Sequence, residues 1–236
     1  MNLILLHPED FIDGQRVRLT GRRRLTHVLE VHRAEKGDEL AVGLLGGKMG
    51  TGKVLSIDSE SLEMDVLLDR DPPAPLPLTL VLALPRPKVL RRVLFALSVL
   101  GVKRIVLMNT ARVEKSYWQT PFLGPEAVRR QLVLGLEQAR DTALPEVLLR
   151  PRFKPFVEDE LPGIAEGTLA LVAHPASKLP CPRVVGRPVT LAVGPEGGFV
   201  PYELDKLVSL GFSAVSVGER ALNVETAVPA IIARLL

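Results

Sequence analysis

This sequence predicts an α/β protein in two parts, and three observations point to that class. Residues 1–71 read as short alternating strands joined by turns. Residues 72–236 alternate short apolar runs with helical patterns, the mark of a parallel sheet flanked by helices. Between them, residues 71–77 read Asp-Pro-Pro-Ala-Pro-Leu-Pro, too rich in proline to continue a strand or helix, and form a semi-rigid spacer. The domain boundary is placed there, giving 1–71 and 72–236.

In the first part, 16–20 alternates as a strand should. Residues 25–33 carry Leu25, Val28, Leu29 and Val31 at roughly helical spacing. Ahead of them stand Arg22, Arg23 and Arg24, either a solvated helix start or a patch that contacts phosphate. Strands are expected over 39–45 and 53–57, with Gly46, Gly47, Gly50 and Gly52 in a hairpin connection between them. Leu62, Met64, Val66 and Leu68 alternate with polar residues on one more strand.

The second part opens with a continuous apolar run over 78–84, suited to a strand buried on both faces. A helix is expected over 87–100, with Val89, Leu90, Val93, Leu94, Leu97 and Leu100 inward and Gly101 stopping it. Lys88, Arg91 and Arg92 fall on its other side. A strand over 105–108 follows, then Arg112 and Lys115 beside Tyr117 and Trp118. Cations next to rings suit unpaired RNA, whose bases stack on aromatic faces; a loop packed by Trp118 reads the same way. A long helix over 126–142 and strands over 147–149 and 169–173 come next, with Arg150, Arg152 and Lys154 between those two strands. The chain then runs through a strand over 189–193, a helix opening at Pro201, a strand over 213–217 and an apolar helix over 224–236. That last helix needs a cover, from its own core or from a second subunit.

Charge and composition narrow the classes of function. Lysine plus arginine number 30 and aspartate plus glutamate 27, for a net charge of +3. The first 71 residues carry 10 basic and 13 acidic side chains, the rest 20 and 14, so the basic excess lies in the second part and suits a polyanionic partner. One cysteine, Cys181, forms no disulfide within the chain, and the four histidines show no metal-ligand spacing, so no metal is expected. Residues 1–6 are apolar but lack a basic start and a cleavage site, and no run is long enough to span a membrane. A soluble, cytoplasmic protein is expected.

Two glycine-bearing bends carry the chemistry. One is Gly194-Pro195-Glu196-Gly197-Gly198-Phe199; the other runs Val217-Gly218-Glu219-Arg220-Ala221-Leu222-Asn223-Val224-Glu225-Thr226-Ala227. Glycine permits positive φ and lets a ligand come close to the main chain. No Gly-Lys-Ser/Thr closes the first bend and no Gly-x-Gly-x-x-Gly occurs in it, so neither a P-loop nor a dinucleotide fingerprint is present. Glu203 and Asp205 in the following helix disfavour phosphate at its start. Two such bends after neighbouring strands predict a ligand site at the carboxyl ends of the sheet.

As a pair, these bends resemble the signature of the RsmE family, the 16S ribosomal RNA (uracil-N3) methyltransferases of the SPOUT superfamily. The resemblance extends more loosely over nearly the whole chain. It implies a trefoil-knotted parallel-sheet domain preceded by a small PUA-like β-barrel, S-adenosylmethionine as donor, ribosomal RNA of the small subunit as substrate, and a homodimer. Carried over by position, it implies donor contacts from Val172, His174, Gly194, Glu196, Gly197, Gly198, Val217, Gly218, Leu222, Val224 and Thr226. It implies RNA contacts from Arg22, Arg23, Arg24, His27 and Arg33 in the first part, and from Arg86, Arg91 and Arg112 in the second.

The resemblance places Arg220 and Asn223 at the reaction centre, where Arg220 would stabilise charge developing on the uracil or contact its phosphate; a surface ion pair with Glu219 or Glu225 is the other reading of Arg220. Glu196 and Glu225 read as carboxylates that brace the loops. The chain departs from the family at Asn223, where an arginine is usual, at His32, and at Asp141, where the family has an arginine three residues after the glutamine matched by Gln138 and this chain has it at Arg140. Those departures leave open a different ribosomal or transfer RNA nucleotide, or an RNA-binding protein without catalysis.

Overall fold

The computed structural model describes residues 2–235, and the side chains of Arg22, Val31 and His32 also fall outside that description. The expected RNA contact from Arg22 and the last residue of the expected 224–236 helix therefore lie beyond the described residues. The chain forms two compact units, Met1–Ala74 with Val133–Leu144, and Pro75–Leu132 with Pro145–Leu236.

The smaller unit is built on a five-stranded sheet in the order β1-β3-β4-β5-β2. Its strands are β1 (Ile4–Leu6), β2 (Arg16–Leu19), β3 (Glu39–Leu44), β4 (Met49–Ile57) and β5 (Leu62–Arg70). β1 runs parallel to β3 and the other neighbours are antiparallel. Alternate residues of the strands point to one core of Ile4, Leu6, Val17, Leu19, Val42, Val54, Leu62 and Met64. The pattern in 25–33 resolves into α1 (Arg22–His27) and one wide turn over Val28–His32, which ends at Arg33 with φ 51°.

Two readings change here. β1 was not expected, because three apolar residues at a chain start carry no periodicity. Gly50 and Gly52 lie inside β4 rather than in a connection. Crowding explains them: a Cβ on Gly50 would stand 1.7 Å from the Leu67 carbonyl oxygen, and one on Gly52 3.0 Å from the Met64 sulfur.

The arginine run is largely committed to carboxylates. Arg24 grips Asp10 through Nη1 to Oδ2 at 2.5 Å and Nη2 to Oδ1 at 2.8 Å, and Nη1 also donates to the Leu5 carbonyl at 3.1 Å. Asp10, 6% exposed, accepts the His7 amide as well. Arg23 makes a two-pronged pair with Glu137, at 2.7 and 2.8 Å, and Glu137 is 1% exposed. Arg24→Ala leaves a buried carboxylate without its cation and is expected to cost about 3–5 kcal/mol, read as a lower urea midpoint at unchanged slope.

The larger unit has a six-stranded sheet, parallel throughout, in the order β11-β9-β10-β6-β7-β8. The strands are β6 (Leu76–Ala83), β7 (Val102–Met108), β8 (Glu146–Arg150), β9 (Leu169–Ala173), β10 (Val189–Val193) and β11 (Ser213–Val215). Its helices are α2 (Pro87–Val99), α3 (Pro125–Ala139), the short α4 (Phe153–Pro155) and α5 (Leu161–Ala165), α6 (Pro201–Ser209) and α7 (Val224–Leu235). The first turns of α3 belong to this unit and its last turns to the smaller one.

Both faces of the sheet are buried, which is why its strands read as unbroken apolar runs. Leu80 and Leu82 face a core shared with α2 and α7, whereas Val81 faces Phe156, Leu161, Phe199 and Leu207 on the other side. The expected helix over 126–142 stops at Ala139, because Arg140 takes φ 55° and cannot continue it. In α7, Val224, Val228, Ile231, Ile232 and Leu235 are covered by the unit's own core. Among the described residues no helix is long and apolar enough to cross a membrane.

Candidate ligand pocket at the strand ends

Three strands deliver their carboxyl ends to one place. β9 lies between β10 and β11, so the chain leaving each of them meets the others there. β10 ends at Val193 and releases the 194–199 bend; β11 ends at Val215 and releases 216–223. β9 ends at Ala173, and the next amide, His174, donates to the Val215 carbonyl at 2.9 Å. The segment after it is pinned in turn: Ser216 donates to Leu179, Cys181 to Ser216, and Arg234 Nε to the Cys181 carbonyl at 2.7 Å.

These bends line one open pocket of about 690 Å³, solvent at its mouth included. Its walls are mostly apolar or backbone: Val193, Phe199, Val215, Leu222, Val224 and Ile231 stand around Gly194, Gly198 and Gly218. The side chains there that carry charge or a proton are His174, Glu196 and Arg220. That is the make-up of a site for a small organic ligand gripped by shape, with few charges. Gly198 at φ 72° and Gly218 at φ 148° hold conformations that favour glycine.

Of the expected donor contacts, His174, Gly194, Glu196, Gly198, Val217, Gly218, Leu222 and Val224 line this pocket. Val172 does not, being fully buried inside β9 on the Phe156 face of the sheet. Gly197 is not among the residues that line the pocket either, and a Cβ there would meet Arg112 Cδ at 3.0 Å. Thr226 lies one turn into α7 and gives its amide to Asn223 Oδ1 at 2.8 Å.

The two expected reaction-centre residues stand differently. Arg220 is exposed and lines the pocket. Asn223 is the cap of α7, its side-chain oxygen on the Thr226 amide and its carbonyl accepting from Ala227 at 2.8 Å. Asparagine is among the best residues for that position. Asn223→Ala should therefore cost about 1 kcal/mol and speed hydrogen exchange at the Thr226 amide, while the rest of α7 stays protected. Glu225 does not face Arg220 but pairs with Arg92, at 2.5 and 2.7 Å.

The expected RNA contacts of this unit are partly engaged. Arg86 gives its backbone amide to Glu196 Oε1 at 3.3 Å. Arg91 lies over the Phe122 ring at 5.0 Å. Arg112 donates to the Gly197 carbonyl. Trp118 is partly buried and donates to Asn109 Oδ1 at 2.9 Å, which favours the packed-loop reading over an open stacking surface. Tyr117 donates to Glu114 at 3.0 Å, and burial together with that carboxylate pushes its phenol up. In the smaller unit His27 is half-buried and Arg33 exposed.

Sequence reasoning gave no role in the site to Phe199, Ile231 or Glu203. The first two were hidden in apolar patterns that fit a core equally well. Glu203 read as an ordinary first-turn carboxylate. Among the described residues no cluster of three or more histidine, cysteine or acidic side chains could hold a metal.

A parallel α/β unit with an apolar, backbone-lined pocket at its strand ends defines a class of protein that takes a small organic ligand there. The chain belongs to the RNA methyltransferase family, whose domain model matches residues 72–236. It is 29% identical over 242 residues to Ribosomal RNA small subunit methyltransferase E of Treponema pallidum, a match covering 100% of this chain and 91% of that protein. It is 24% identical over 227 residues to Ribosomal RNA small subunit methyltransferase E 1 of Borreliella burgdorferi, covering 96% and 94%. In fold it is similar to the Ribosomal RNA small subunit methyltransferase E of Neisseria gonorrhoeae, solved with S-adenosyl methionine bound, with a TM-score of 0.73 at 22% identity over 99% of this chain and 95% of that one. The RsmE resemblance carried by the two bends is thus borne out.

Proposed function

We propose that this chain is an S-adenosylmethionine-dependent methyltransferase acting on N3 of a uridine in 16S ribosomal RNA. The observation that carries the reading is the pocket shared by the 194–199 and 216–223 bends. Its chemistry fits the donor. Apolar walls suit the adenosine, and glycines let it lie against the main chain. Gly194, Gly198, Gly218, Leu222 and Val224 would hold it. When bound, S-adenosylmethionine supplies an electrophilic methyl group on a sulfonium.

The chain's residues then do the positioning, which in well-aligned reactions accounts for about 7–11 kcal/mol of the barrier. N3 lies on the pairing edge of uracil, so the base must be unpaired or turned out of its stack. N3 also carries a proton. Of the three ionisable side chains lining the pocket, His174 and Glu196 can accept one and Arg220 can only donate. We assign Arg220 to the negative charge that grows on the uracil, and proton acceptance to His174 or Glu196.

The finer architecture belongs to the same reading. Trefoil threading is supported by β9 lying between β10 and β11, and by the hydrogen bonds that run Val184 and Val185 along the end of α7. A PUA-like role in RNA binding for the smaller unit rests on the resemblance, with Arg33 among its exposed cations. A cytoplasmic homodimer is also proposed. Its support is the outward face of α2, where Phe95 is 37% exposed beside Lys88 and Arg91. A single species of monomer mass in sedimentation velocity would remove the dimer.

The decisive test is mass mapping of modified uridines in ribosomal RNA with and without the gene. One N3-methyluridine of the small subunit should disappear in the knockout and return with the intact gene. Full modification at every uridine in the knockout would defeat the enzymatic reading.

A further inference from the structure

Glu203 is the buried charge that the pocket leaves unexplained. It sits in the first turn of α6 and is 3% exposed. Two amides hold it rather than a cation. Oε1 accepts the Ala111 amide at 2.6 Å, and Oε2 accepts the Val200 amide at 3.1 Å. Taking a carboxylate out of water is costly, and amide donors at a helix start offset that cost.

The two amides come from different bends. Val200 directly follows Phe199, a wall of the pocket. Ala111 belongs to the turn after β7, two strands away from β10 in the sheet with β6 between. That turn closes on itself through Val113 to the Thr110 carbonyl at 3.1 Å, and Thr110 is buried. The next residue, Arg112, reaches back to the Gly197 carbonyl. The 110–112 turn and the 194–199 bend are therefore tied at two points, one through Arg112 and one through Glu203. An exposed arginine side chain held in one place loses rotamer freedom, so something must fix its backbone for the tie to persist.

We propose that Glu203 is a positioning residue for the donor pocket: it locks the 110–112 turn to the 194–199 bend and thereby holds Arg112 on Gly197. The proposal rests on the reading that this pocket takes S-adenosylmethionine. It acts through the loop and touches neither donor nor RNA.

Glu203→Gln tests it, because the shape is kept and one acceptor becomes a donor facing an N–H. Calorimetry with S-adenosylmethionine should show about tenfold weaker binding than wild type. Hydrogen exchange should quicken at Ala111 or Val200 while the other α6 amides keep their protection. Arg112→Ala should weaken the donor by a similar factor, and the double variant should bind no more weakly than the weaker single one, since Glu203 acts by keeping Arg112 on Gly197 and either change loses that same contact. Heat from wild type with an unchanged constant for Glu203→Gln overturns the proposal and leaves the donor site standing. Losses that multiply in the double variant also overturn it. No heat from wild type defeats the donor-site reading, and the proposal with it. Should Glu203→Gln fail to fold, Arg112→Ala alone decides: unchanged donor binding sinks the tie.

Discussion

Gly50→Ala is expected to destabilise the smaller unit by more than about 3 kcal/mol, enough to abolish its folding in many small domains. The reason is geometric. A Cβ at Gly50 would lie 1.7 Å from the Leu67 oxygen, 2.7 Å from its carbonyl carbon and 3.0 Å from Leu68 Cα. All three atoms are main chain, so no rotamer change relieves the clash. The ladder between β4 and β5 slips its register at this point, with Met49 opposite Arg70 and Gly50 opposite Leu68. Such a bulge brings the backbones close, and only a residue without a side chain fits. Relief requires parting the two strands at the centre of the sheet. Urea denaturation followed by circular dichroism measures the loss. Gly14→Ala is the control, since a Cβ there meets nothing within 4 Å. A change at Gly50 costing under about 1 kcal/mol would show that the bulge relaxes freely.

Gly194→Val should weaken S-adenosylmethionine by on the order of a hundredfold, about 2.7 kcal/mol, while the protein stays folded. Gly194 lines the pocket, and a Cβ on it would press the Phe199 amide nitrogen at 3.2 Å and the Phe199 ring at 3.1 and 3.3 Å. Phe199 is itself buried on the Val81 side of the sheet and has nowhere to retreat. The bend must then move outward, and it is the bend that shapes the pocket wall. Gly197→Val acts by another route, through displacement of Arg112, because its Cβ direction faces that side chain. Calorimetric titration of both variants separates the two: the larger loss belongs to position 194. Equal, wild-type affinity in Gly194→Val would remove this bend from the donor site.

Much of the larger unit could be read from its residues. Leu80-Val81-Leu82 announces a strand covered on both sides, and each side has its core. The glycine bends after β10 and β11 predict a site at the strand ends, and there the pocket lies. What stayed hidden was long-range. Nothing local in 133–144 says that the last turns of α3 pack with Leu3 and Leu5. Arg23 and Arg24 look like a phosphate patch until Asp10 and Glu137, far off in sequence, are seen to hold them. Gly50 and Gly52 resemble turn residues, because the feature that demands them is a neighbouring strand. Asn223 reads as a departure from a catalytic arginine, and its hydrogen bonds make it a helix cap.

The order of the six parallel strands bears on how the molecule comes together in time. No two neighbours in that sheet can meet as a hairpin; every pairing waits for a crossover, and β9 must be flanked by two strands made after it. Folding of this unit should therefore be slow, with most of its loop entropy lost before contacts compensate. Synthesis on the ribosome would expose the apolar edges of β6 and β9 until residues 189–215 emerge, the interval in which chaperone dependence and aggregation of the nascent chain should peak.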